Sequence, residues 1–522
     1  MQICTTDHAA HSPAVARHKS VTAATDNAAM PYCVAPLTAR PLVQRIVLPS
    51  LLGLCAFSVT AQGLTPEVEA ALARAKVPQE AVAVVLVDAQ GKAAPRINHR
   101  STVPMNPASV MKLVTTYAAL DLLGPAYTWS TPVFIDGTVR DGTLYGNLTI
   151  QGQGDPKLVL ERLWLLLRRV QGLGIQTIAG DIVLDRSAFE VPPTDPSSFD
   201  GEPLRPYNAA PDALLINFKS VVMTLTPEAS SNLARVQYDP PLAGVQMQPS
   251  VPLLAGECGD YRAALKADFS DANRIRLAGA YPASCGEKVW SVAFADPASY
   301  ASRAVQGVWH SMGGKLLGSV RLGSLPRDAR GPVPVFELRS APLAEIIRDI
   351  NKFSNNVMAQ QVFLALGRVR PGPIDDGPES LPLKTGSFEA SRAELQRWWK
   401  ERIGGTDQPV LDNGSGLSRS ERISAQALGR VLQTAYASPL MPELMASLPI
   451  TGVDGTLRRV KSRASGSAHL KTGSLNDVVA LAGYVHGAGG KRWVLVALVN
   501  HPNARAARPA IDLLVEWAAK ER

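Results

Sequence analysis

Long apolar runs are almost missing from this chain, and the one it has is short. Residues 46–61 hold sixteen residues broken by Pro49, too few to cross a bilayer comfortably. No second segment reaches transmembrane length, and Ala510–Arg522 reads as an amphipathic terminal helix. The apolar run follows Arg40 and Arg45 and ends in the small residues Val59-Thr-Ala61, which predicts a secretory leader over 1–61 and export to the periplasm. An uncleaved anchor is the competing reading. A lipid anchor through Cys55 is disfavoured by the bulky Leu54 before it. Residues 1–29 are polar and unpatterned, so Met30 is an alternative start.

Cysteine is also scarce. There are five, and Cys4, Cys33 and Cys55 fall in the expected leader. Cys258 and Cys285 remain, and an even pair in an exported chain predicts a disulfide, with two unpaired buried thiols as the alternative. No block of basic residues occurs: the formal charge of +8 is spread along the chain. Nucleic-acid binding therefore has no support. The excess fits peripheral contact with an anionic envelope polymer or membrane surface, and equally an ordinary solvated face. Internal repeats are lacking as well.

What remains after the leader is 461 residues, enough for two to four domains. Pro66–Lys76 reads as a helix, Val82–Asp88 as a strand opening a hairpin, and Ser109 to about Leu123 as a helix stopped by Gly124-Pro125. From Thr128 to about Tyr300 the texture changes to short alternating runs, such as Val133–Asp136, Leu144–Ile150 and Ile182–Asp185, broken by Gly, Asp and Pro. One helix stands out there, Leu158–Gln171. Helical periodicity returns over Leu343–Gly367, and Val478–Val485 with Arg492–Asn500 flank a Gly-rich turn as a hairpin. The two ends of the chain thus predict one α/β body, 62–128 with 302–522, interrupted by a β-rich insertion over 129–301.

Three motifs carry chemistry. In Ser109-Val-Met-Lys112 the serine and lysine share one helix face at i and i+3. An amine there can take the proton of a hydroxyl that is otherwise too weak a nucleophile. The amino end of a helix at Ser109 also aims its dipole at a developing oxyanion. Ser354-Asn-Asn356 sits between two helical segments, where a turn can aim polar side chains into a cleft. Ser230-Ser-Asn232 and Ser474-Leu-Asn476 match the same pattern in less suitable settings.

Lys-Thr-Gly occurs twice. Lys384-Thr-Gly-Ser387 precedes a helical pattern, where Ser387 reads as an N-cap. Lys471-Thr-Gly-Ser474 precedes the terminal hairpin, close to an edge that a peptide could pair with, and is the preferred copy. Gly152-Gln-Gly-Asp155-Pro and Asp412-Asn-Gly-Ser-Gly-Leu-Ser-Arg419 are turns carrying a carboxylate and an arginine.

Taken in this order, these motifs resemble the class C low-molecular-mass penicillin-binding proteins, the D-alanyl-D-alanine carboxypeptidases and endopeptidases of the SxxK acyltransferase superfamily. The 242 residues from Lys112 to Ser354 match the long insertion of that family; class A β-lactamases have far less there. The resemblance implies an α/β (α+β) transpeptidase-like domain, a central antiparallel sheet flanked by helices with the insertion in it.

The resemblance also implies the roles. Ser109 is the acylated nucleophile and Lys112 its proton acceptor. Ser354 relays the proton to the leaving D-alanine, and Asn356 holds the substrate amide. Lys471 supplies positive potential. Thr472, Gly473 and Ser474 bind the substrate, Thr472 taking its carboxylate, and the N–H groups of Ser109 and Ser474 form the oxyanion hole. Asp155 and Arg419 are expected to grip the amine and carboxylate of a diaminopimelate side chain. Asn355 departs from the acid that the family often has. The substrates implied are peptidoglycan stem peptides, with β-lactams as covalent inhibitors and no metal or organic cofactor. A serine β-lactamase and a non-catalytic wall-binding protein of the same fold are the alternatives.

Overall fold

The computed structural model describes residues 63–325, 332–369 and 384–521. The expected leader over 1–61, with its three cysteines, lies outside them. The sheet beneath the motifs is assembled from both ends of the chain. Its strands run Ile97–His99, Val82–Asp88, Arg492–Asn500, Val478–His486 and Ala468–Leu475 in spatial order, and every neighbouring pair is antiparallel.

Side-chain alternation explains why this sheet is central. Val85, Val87, Ala480, Ala482, Val494, Val496 and Leu498 join an apolar cluster with Val114, Tyr117, Phe363 and Leu428. Their chain neighbours Val84, Leu86, Val479, Leu481, Leu495, Ala497 and Val499 join another with Val68, Leu72, Leu514 and Val515. Successive strand residues point to opposite faces, so a sheet covered on both faces needs runs with no polar alternation. The first cover comes from helices Lys112–Leu123, Asn356–Leu366 and Ala425–Ala437, the second from Pro66–Arg74 and Arg508–Lys520.

The middle of the chain is β-rich. One sheet runs Lys315–Leu316, Thr177–Ile178, Thr143–Gln151, Ser130–Arg140 and Phe336–Arg339, with Ile182–Asp185 and Val320–Gly323 attached. A second runs Tyr281–Pro282, Ser250–Leu254, Leu233–Asp239, Ser220–Glu228 and Lys288–Ala293. A single apolar cluster links them. The expected helix is present as Leu160–Gly172, and Cys258 and Cys285 form a disulfide.

Sheet membership differs from expectation at one end. Strands at 315–316, 320–323 and 336–339 pair with strands of the middle, beyond the limit drawn at 301. A helix not marked from the sequence, Tyr300–Ser311, buries Tyr300, Ala304, Val305, Val308 and Trp309 in the same cluster. The loss of β texture near Tyr300 coincides with the start of this helix.

Candidate active site

Ser109 lies in a tight 3-10 turn, Ala108–Met111, which continues as the helix Lys112–Leu123. Ala108 has φ 46°, a left-handed conformation that costs a residue with a side chain about 1–2 kcal/mol. A network of amides holds it. Asn106 Oδ1 accepts the Ala108 N–H at 2.9 Å. The backbone N–H of Asn106 donates to Asn500 Oδ1 at 2.8 Å, and its carbonyl accepts from Asn500 Nδ2 at 2.9 Å. The nucleophile turn is thereby fixed to the last strand of the central sheet.

Lys112 is fully buried. Its Nζ donates to Ser109 Oγ at 3.0 Å, to Asn356 Oδ1 at 2.6 Å and to the Ser415 carbonyl. These three acceptors match the three donors of an ammonium. On losing a proton, the amine keeps two donors and turns a lone pair to the serine hydroxyl. Burial pushes Lys112 down to about 7, and the carboxylate of Glu421 acts in the opposite direction. An amine titrating near neutrality suits a general base.

The second motif is a helix–turn–helix. Leu343–Phe353 ends at Ser354, which has φ 57°. Asn355 then caps the helix Asn356–Leu366, its Oδ1 accepting the Met358 N–H at 3.0 Å. The residue that departs from the family pattern is thus engaged as a cap, a task its amide performs well. Lys471, also fully buried, donates to Ser354 Oγ at 2.8 Å and to the Thr472 carbonyl at 2.7 Å. Burial, and after it the charge of Lys112, hold Lys471 well below the ordinary lysine range.

Lys471 lies on the edge strand Ala468–Leu475. At Gly473 a Cβ would come within 2.6 Å of the Pro107 carbonyl, so only glycine lets this strand approach the nucleophile turn. Thr472 Oγ1 is 2.8 Å from Thr456 Oγ1, and Ser474 Oγ accepts from Arg508 at 3.2 Å. The other Lys-Thr-Gly is elsewhere. Its Lys384 is exposed, Gly386 bridges to Phe189, and Ser387 Oγ caps the helix Phe388–Trp398 by accepting the Ala390 N–H at 3.1 Å.

Arg419 joins the site, with its guanidinium 4.7 Å from the Phe199 ring centre, and Phe199 packs with Ala108 and Leu475. Asp155 does not. It is only 3% exposed, its Oδ1 accepts the Lys157 N–H at 2.8 Å, and burial raises its pKa. Its Oδ2 is buried without a hydrogen-bond partner among the described residues. The loop beside Arg419 carries an exposed carboxylate, Asp200. It accepts from the Tyr207 hydroxyl at 2.9 Å and from Asn208 Nδ2 at 2.8 Å, while the Tyr207 carbonyl accepts from Asn356 Nδ2 at 3.5 Å. Loop 199–208 therefore touches both Asn356 and Arg419. Neither Asp200 nor Glu421 was singled out from the sequence, because nothing local marks them.

Among the described residues, no helix is long and apolar enough to cross a membrane, and no group of three or more His, Cys, Asp and Glu could hold a metal ion.

The family model of the D-Ala-D-Ala carboxypeptidase 3 (S13) family matches residues 64–521. A D-alanyl-D-alanine carboxypeptidase from an Actinomadura species is 27% identical over 419 residues, 78% of this chain and 75% of its own length. The D-alanyl-D-alanine carboxypeptidase DacB of Haemophilus influenzae is 27% identical over 400 residues, 75% of this chain and 80% of its own. The crystal structure of penicillin binding protein 4 from that organism superposes with a TM-score of 0.65 at 23% identity, covering 87% of this chain and all of that one. It shares the fold described above.

Proposed function

The chain belongs to the D-Ala-D-Ala carboxypeptidase 3 (S13) family, and from that premise we propose a serine-type D-alanyl-D-alanine carboxypeptidase and endopeptidase acting on peptidoglycan stem peptides and crosslinks. The observation that carries this reading is the position of Lys112 Nζ, 3.0 Å from Ser109 Oγ and 2.6 Å from Asn356 Oδ1. Lys112 takes the hydroxyl proton as Ser109 Oγ attacks the D-alanyl carbonyl. The N–H groups of Ser109 and Ser474 receive the oxyanion. Collapse of the tetrahedral adduct breaks the C–N bond, and the leaving amine gains a proton through Ser354, whose hydroxyl Lys471 orients. Water, deprotonated in its turn, releases the acyl group from Ser109. A β-lactam enters the same first step, because its strained amide presents the same carbonyl.

Specificity for a zwitterionic side chain is assigned to Arg419 and, in place of Asp155, to Asp200, the exposed carboxylate on the loop that borders Arg419. Asp200→Asn should lower kcat/KM on diaminopimelate-containing muropeptides about tenfold, in line with the loss of one charge-assisted hydrogen bond. Acylation by penicillin, which lacks that amine, should change little. Asp155→Asn should leave the ratio of the two rates as it is; the opposite pattern would return the role to Asp155.

The expected leader over 1–61 supports a periplasmic location, and the sheet pairing supports an inserted domain that extends to about Arg339. The test of function is product analysis on purified muropeptides by mass spectrometry. Release of D-alanine from pentapeptides and conversion of crosslinked dimers to monomers are the expected results. Absence of both would sink the proposal.

A further inference from the structure

Glu421 lies outside every motif above. It is fully buried, and its Oε1 accepts the backbone N–H groups of Asp412, Asn413 and Gly414 at 3.2, 3.2 and 2.9 Å. Its Oε2 is buried without a hydrogen-bond partner among the described residues. Burying a carboxylate costs several kcal/mol, and a glutamine oxygen could accept the same three N–H bonds. Backbone satisfaction alone therefore explains the oxygen and not the charge. The turn held by Glu421 meets the nucleophile helix at two points: the Ser415 carbonyl accepts from Lys112 Nζ, and the Gly414 carbonyl accepts from Thr115 Oγ1 at 2.6 Å.

Resting on the reading of Lys112 as the base, we infer that Glu421 is a positioning residue: it locks the 412–415 turn that offers the Ser415 carbonyl to Lys112, and it holds a buried negative charge against that lysine. The electrostatics agree with the geometry. Burial pushes Glu421 up to about 7, with the N–H groups of Gly414 and Asp412 and the charge of Lys112 pulling the other way and the charge of Asp412 adding to the rise. In return, Glu421 opposes the burial that depresses Lys112. The other cation facing Lys112 is Lys471, from the edge strand.

The sign follows directly. Removing the negative charge lets the pKa of Lys112 fall further, so the free amine persists to lower pH. In the full-length protein, acylation by a fluorescent penicillin is followed between about pH 5 and 9, spanning the range in which the base titrates. Glu421→Gln keeps the acceptor oxygen and should move the acid limb of the normalised profile to lower pH, by less than the full effect of a fixed charge because Glu421 titrates over the same range. Glu421→Asp keeps the charge but is one methylene short, so its plateau should fall while its acid limb stays with the wild type. A Glu421→Gln profile that superimposes on the wild type overturns the inference. Should that variant fail to fold, a Glu421→Asp limb shifted downward does the same. A wild type whose Ser109 is never acylated at any pH defeats the catalytic reading itself, and the inference with it.

Discussion

Lys112→Ala should slow acylation of Ser109 about a thousandfold, the typical worth of a positioned general base. Among the described residues, Lys112 Nζ is the side-chain group that hydrogen-bonds Ser109 Oγ. Asn356 is an amide, and Lys471 is bonded to Ser354 and the Thr472 carbonyl. Lys112→Arg should not rescue the rate, because a guanidinium stays protonated and offers no lone pair. In the wild type, acylation should rise with pH through about 7, the region to which burial lowers Lys112. The base must be the free amine, so activity appears above that pKa and is lost below it. Stopped-flow acylation measures both. A Lys112→Ala rate within tenfold of the wild type would remove the lysine from the mechanism.

Lys471→Ala should cost about a hundredfold or more in acylation, the scale of losing one preorganised donor from an active site. It also strips Ser354 Oγ of the donor 2.8 Å away, which frees the rotor that relays the proton. Lys384→Ala should leave the rate as it is, since Lys384 is exposed at the entry of a helix whose cap is Ser387. Thermal unfolding of each variant separates a lost charge from a lost fold. Equal losses at both lysines would contradict the placement of the site on the edge strand.

Much of this arrangement was legible in the chain because the signals were local. An apolar helix opened by Ser109, a turn between two periodic segments at Ser354 and a β-branched hairpin after Lys471 each declare themselves within about a dozen residues. The same holds for Ser387, whose capping position separates the two Lys-Thr-Gly copies. What stayed hidden depends on partners far away in sequence. The Ser415 carbonyl reaches Lys112 across 303 residues, and Asn500 steadies Asn106 across 394. Asp155 stands in a turn-like setting whose enclosure is not visible in the sequence. The helix Tyr300–Ser311 shows the helical repeat in Ala301, Ala304, Val305 and Val308, yet it follows directly on β-rich texture that masked its start.

The central claim is that Ser109 is the nucleophile. Incubation of the purified protein with a labelled penicillin, followed by proteolysis and mass mapping, tests it most directly. One adduct on the peptide that contains Ser109, lost in Ser109→Ala, is the expected result. An unlabelled protein, or a label that persists in Ser109→Ala, would contradict it.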